Sequence, residues 1–84
     1  MPVYSVSYDL IKRKNYPELI AELKRLKAKR ILLSQWCVRL PASNASVELR
    51  DHLKRHIDSD DRLAVFEIHN EWATFNATFD LNKV

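Results

Sequence analysis

Asp9 closes an alternating run, Val3-Tyr-Ser-Val-Ser-Tyr-Asp9, and the cations Lys12-Arg13-Lys14 follow just after it. A carboxylate can hold a hard divalent cation through oxygen, and neighbouring Lys and Arg can hold a phosphate backbone. Together they suit a metal or nucleic-acid site. Asp is depleted in strands, so its place here needs a reason. A second account is local: Asp9 can hydrogen-bond backbone groups two residues on and so end the strand. Residue types alone leave both accounts standing.

The other constellations are weaker. His52 and His56 lie four apart on a helical stretch, the spacing that puts two imidazoles on one face for zinc. Leu53 stands where a zinc-protease helix carries its Glu, and no third ligand follows at a recognised spacing. A solvated flank beside Leu49, Leu53 and Ile57 accounts for both histidines without a metal. Asp58-Ser-Asp60-Asp61 begins like a calcium loop but lacks the sixth-position glycine and has His69 where the bidentate Glu belongs. It reads as a helix-to-strand loop. Ser5, Ser7 and Ser34 have no His placed beside them, so no triad is legible. Cys37, the single cysteine, has no disulfide partner and reads as a small buried hydrophobe. The chain has no glycine. That excludes the phosphate-cradling loop, the dinucleotide fingerprint and the nucleophile elbow, each of which needs glycine.

The elements that must position Asp9 are legible from periodicity. In the first strand Tyr4, Val6, Tyr8 and Leu10 point one way, and Val3, Ser5, Ser7 and Asp9 the other. The first face is apolar and suits helix packing. Asn15-Tyr-Pro17-Glu18 opens a helix with Asn15 as N-cap and Glu18 as in a capping box, and Leu19, Ile20, Leu23 and Leu26 form its stripe. Arg30 to Leu40 is too long for one typical strand and splits near Ser34-Gln35 into two. Trp36, Val38 and Leu40 share one face, Cys37 and Arg39 the other. Ser43-Asn44 starts a second helix with Leu49, Leu53 and Ile57 buried, and Arg62–Ile68 is a fourth strand. The predicted class is α+β: a ferredoxin-like βαββαβ sandwich, its antiparallel four-stranded sheet carrying both helices on one face. Residues 69–84 alternate through Ala73, Phe75, Ala77, Phe79 and Leu81, which predicts a short fifth strand or an extended arm.

Length and charge set the remaining bounds. Eighty-four residues make one small domain, 1–84, that buries only about 60–65% of its unfolded surface and gains from dimerising. No apolar run approaches the roughly 20 residues of a membrane span, and Met1-Pro2 leads straight into a strand rather than a signal peptide. The expected setting is cytoplasmic, with no membrane partner. Residues 12–30 hold eight Lys/Arg against Glu18 and Glu22, whereas the rest of the chain is net acidic. A basic half opposite an acidic half suits an anionic partner or self-association. The cations at the end of the first helix also complement its dipole.

Tyr8-Asp9-Leu10 closing the first strand, Ser34-Gln-Trp36 at the second-to-third strand junction, and Asp58 to Ile68 leading into the last strand resemble the Cas-two-like superfamily. That group includes the small CRISPR-associated adaptation protein and the virulence-associated D (VapD-like) ribonuclease toxins. The order of elements matches over residues 2–68. Arg50-Asp51-His52-Leu53, with Asp58 to Leu63, looks closest to an uncharacterised stand-alone branch. The resemblance implies a homodimer in which Asp9 of each subunit approaches the twofold axis and binds a divalent metal, Mg²⁺. Two carboxylates about 5 Å apart at an effective dielectric near 20 repel by roughly 3 kcal/mol, which the ion relieves. Lys12, Arg13 and Lys14, with Arg30, Ser34 and Arg39, would then hold RNA or DNA while Asp9 acts in a metal-dependent endonuclease. The same resemblance implies an alternative, a non-catalytic adaptor or toxin–antitoxin-type module with a structural Asp9. One carboxylate in the neighbourhood is fewer than two-metal hydrolysis normally uses.

Overall fold

A computed structural model of the chain describes residues 1–11, 17–69 and 71–84. The elements are β1 (Val3–Asp9), α1 (Pro17–Arg25), β2 (Lys29–Leu32), β3 (Gln35–Arg39), α2 (Ser46–Leu53) and β4 (Arg62–Ile68). The strands form one antiparallel sheet in the order β2-β3-β1-β4. This is the ferredoxin-like α+β arrangement. β1 is an inner strand: Val3 to Ser7 are paired with β3 on one side and β4 on the other, and Tyr8 and Asp9 run on alongside β4 alone.

The alternation of β1 builds the layers. Tyr4, Val6 and Tyr8 join Trp36 and Val38 of β3 beneath Leu19 and Leu23 of α1 and Leu49 and Leu53 of α2. Each fully buried side chain of this kind contributes about 1.5–3 kcal/mol. The polar tips within this layer are satisfied. Trp36 Nε1 donates to Tyr8 Oη at 3.0 Å, and Tyr4 Oη donates to the Ala42 carbonyl at 2.6 Å.

Two helix boundaries use devices that periodicity does not reveal. α2 begins at Ser46 with Ala45 at the N-cap and no side-chain cap, rather than at Ser43-Asn44. Asn44 instead takes a left-handed φ of 57°, which Asn tolerates, and the Ala45 N–H is accepted by the buried Tyr4 hydroxyl at 3.0 Å. A core tyrosine thus does what a capping side chain usually does. α1 opens on Pro17 as expected; Asn15 lies outside the described residues. Its far end closes with Lys27 at φ 65°, the Lys27 N–H donating to the Lys24 carbonyl and the Ala28 N–H to the Leu23 carbonyl. That is a Schellman ending with lysine where glycine is usual.

The tail departs from a fifth strand. Among the described residues beyond Ile68 no ladder forms, and a single 3-10 turn, Leu81–Lys83, stands near the end. Leu81 joins Val3, Ile31 and Cys37 in a second buried cluster, against which Ala77, Phe79 and Val84 also pack. The apolar alternation of the tail therefore covers the sheet's second face instead of extending its edge. One backbone bond, Thr78 N–H to the Ile31 carbonyl at 2.8 Å, fixes it to β2. Cys37 is buried beneath the tail, and burial pushes its thiol up to about 11, so it is a poor nucleophile at neutral pH.

Candidate metal and nucleic-acid groove at the end of β1

Asp9 is the last residue of the central strand, and its side is exposed. Antiparallel pairing sets Arg62, the first residue of β4, directly opposite it. On the other flank the β2–β3 turn comes back to β1, where the Tyr8 N–H donates to the Ser34 carbonyl at 3.1 Å. These three arrivals enclose an open groove of about 470 Å³ lined by Ser7, Asp9, Leu33, Ser34, Gln35 and Arg62, among others. Asp9 is the only carboxylate among the described residues that line it.

A strand-ending role would have the Asp9 carboxylate accept from the backbone two residues on, at Ile11. That N–H donates instead to Asp61 Oδ1 at 2.8 Å, across 50 positions of sequence. Asp61 also accepts the Asp58 N–H at 2.9 Å, so it closes the helix-to-strand loop and pins the exit from β1 together. No hydrogen bond or ion pair to another described residue occupies Asp9. The turn is held by Asp61, and the Asp9 carboxylate is left facing the groove.

The remaining expected residues divide. Ser34 meets Asp9 in the groove. Arg30 lies on the edge strand β2, on the helix face, its guanidinium stacked 4.8 Å over the Trp36 ring. Its Nε is buried without a hydrogen-bond partner among the described residues. Arg39 is at the opposite end of the sheet, paired with Val3, and donates to the Val84 carbonyl and the Met1 carbonyl at 2.7 Å each. It is not brought to the groove. Lys12, Arg13 and Lys14 lie outside the described residues.

Two residues escaped the reading of the sequence. Arg62 was legible in principle: if β1 and β4 pair antiparallel, the last residue of one meets the first of the other. Glu22 had no such signal. It reaches from α1 to His52 on α2, and Arg25 grips the same carboxylate with Nε on Oε1 at 2.9 Å. The hydrogen bond from Arg25, then that from His52, holds the Glu22 carboxyl down at about 2, well below its ordinary 4.5.

Residues 1–74 match the family model described as CRISPR associated protein Cas2. The chain belongs to the Cas2 family. In fold it is similar to the crystal structure of a hypothetical protein, TT1823, from Thermus thermophilus. The two are 21% identical, the match covers 93% of this chain and 95% of that one, and the TM-score is 0.72. At that identity the likeness speaks for the fold alone. Cas2 membership covers every residue of the groove, from Ser7 to Ala64, and brings with it a CRISPR-associated, nucleic-acid-related role.

A divalent cation can be tested against this groove by its donors. Mg²⁺ takes oxygen ligands, keeps several waters and is commonly held by one or two carboxylates. Asp9 supplies one such oxygen donor set in an open position, with the Ser7 and Ser34 residues beside it. The donor chemistry fits, with one carboxylate among the described residues lining the groove.

Proposed function

We propose that this Cas2-family chain acts as a homodimer that binds RNA or DNA, and that Asp9 of each subunit holds Mg²⁺ for cleavage of a phosphodiester. The observation that carries this reading is the Asp9 carboxylate, bonded to no other described residue, in the groove next to Ser34 and Arg62, while Asp61 accepts the Ile11 N–H. When bound, Mg²⁺ supplies charge neutralisation at the paired carboxylates, polarisation of the phosphate and a more acidic water. Asp9 positions that ion, and Arg62 lies where it can meet phosphate oxygens. Lys12, Arg13 and Lys14 follow Asp9 in sequence and are the next cations for the backbone. A second open groove that shares Leu63 with the first is lined by both signs of charge, Arg50, Lys54 and Arg55 with Asp58 and Asp61.

Self-association has its own support. β4 is a seven-residue edge strand, with no partner on its outer side among the described strands, and Phe66 on it is 62% exposed. Edges of this kind invite pairing with another chain. A dimer also answers the carboxylate count, because each chain brings a single Asp9.

The single carboxylate per groove favours a second reading too, a nucleic-acid-binding adaptor without chemistry. The readings part in one assay. Labelled single-stranded RNA and duplex DNA are incubated with Mg²⁺, Mn²⁺ or chelator, using wild type and Asp9→Asn. Cleavage that requires metal and disappears in Asp9→Asn, with binding retained, supports the nuclease. Absence of cleavage with intact binding sinks it and leaves the adaptor.

A further inference from the structure

We propose that Glu22, His52 and His56 form a separate transition-metal site, of zinc type, that clamps α1 to α2. One ligand atom from each residue lies within 4.8 Å of the others. The two histidines stand four apart, His52 on α2 and His56 in the 3-10 turn Lys54–His56 that continues it, with ring centroids 5.8 Å apart. Glu22 arrives from the other helix and already meets His52 Nε2 through Oε2. The third ligand is therefore supplied by packing, 30 residues away in sequence, which is why no motif spacing announces it.

The ligand chemistry selects the ion. Two imidazoles with one carboxylate suit Zn²⁺, or Co²⁺ in its place, whereas Mg²⁺ prefers an all-oxygen set. Three protein ligands leave a fourth tetrahedral position for water. Tetrahedral zinc at its usual bond lengths places ligand atoms about 3.3 Å apart, so the cluster has to draw in by roughly 1.5 Å at its widest. Side-chain torsions can do this. The His52 side chain is 39% exposed, so solvent borders much of it, while the Glu22 side chain is 11% exposed and held by Arg25. Arg25 Nη2 also approaches Oε2 at 2.5 Å, so a bound ion shares that oxygen or displaces Nη2 while Nε stays on Oε1. The cluster lies between the helices, and none of its residues lines the Asp9 groove.

The test uses the full chain, stripped of metal and titrated with Zn²⁺ by calorimetry and with Co²⁺ by visible absorbance. The expected result is one ion per chain, tetrahedral d–d bands for Co²⁺, and a higher melting temperature with Zn²⁺. His56→Ala, whose ring contacts His52 without bonding Glu22, should bind zinc at least about tenfold more weakly and lose the thermal shift. Glu22→Gln should weaken it likewise, and Asp9→Asn should bind zinc as wild type does. The proposal is overturned if wild type binds zinc no more tightly than His56→Ala and Glu22→Gln, or if Asp9→Asn abolishes zinc binding. The His56→Ala comparison remains decisive should Glu22→Gln fold poorly.

Discussion

The two ends of the central sheet treat charge in opposite ways. At the end where β1 begins, Arg39 is spent on structure, its guanidinium binding the carbonyls of Met1 and Val84 and so holding the arm against the sheet. At the end where β1 finishes, Asp9 is bonded to no other described residue, while Asp61 secures the turn. Both residues are charged, both are exposed, and each is the last residue of one of the sheet's two inner strands. What separates them is whether backbone groups come within reach. A charge already satisfied by its own fold has little left for a ligand, whereas one held in place by neighbours and left open is available.

Substitution at each end should break this comparison in different observables. The largest effect is expected for Asp9→Asn: loss of metal-dependent cleavage to background, with a melting temperature unchanged from wild type. A large fall in melting temperature would instead assign Asp9 to the fold. Next comes ionic strength. With about five phosphates contacted, duplex DNA affinity should fall with a log–log salt slope near −4 to −5. A slope near zero would point to a protein partner. Arg39→Ala should do the reverse of Asp9→Asn. It removes two hydrogen bonds from a charged donor, costing roughly 1.5–3 kcal/mol in urea unfolding and exposing residues 71–84 to protease, with nucleic-acid binding little changed. Loss of binding without loss of stability would return Arg39 to the ligand surface. The smallest effect is expected away from both ends: Lys27→Gly relieves a left-handed lysine and should stabilise by about 0.5–1 kcal/mol in the same urea experiment.

Most of the fold was legible because it rests on local pattern. The period of two in β1 set Tyr4, Val6 and Tyr8 against the helices, and the spacing of Leu19 and Leu23 gave α1 its buried side. The Asp58–Asp61 loop and the split at Ser34-Gln35 were likewise visible. The rest depended on contacts remote in sequence. The Tyr4 hydroxyl replaces a cap on α2 from 41 positions away. The tail aromatics gave the right alternation but could not say whether it served an edge or a face. In the groove, Asp9 and Ser34 were found from the strand end and the turn, while Arg62 required the β1–β4 register. The role of Asp61 was hidden because its bond to Ile11 spans two segments with no shared motif.

The central claim is that Asp9 is an open metal ligand rather than a strand stop, and paramagnetic broadening by Mn²⁺ in the backbone amide spectrum tests it directly. Selective loss of signals from Ser7 to Asp9, Ser34-Gln35 and Arg62 to Ala64, restored in Asp9→Asn, is the expected result. The same signals persisting at full intensity in wild type, or broadening equally in Asp9→Asn, would contradict it.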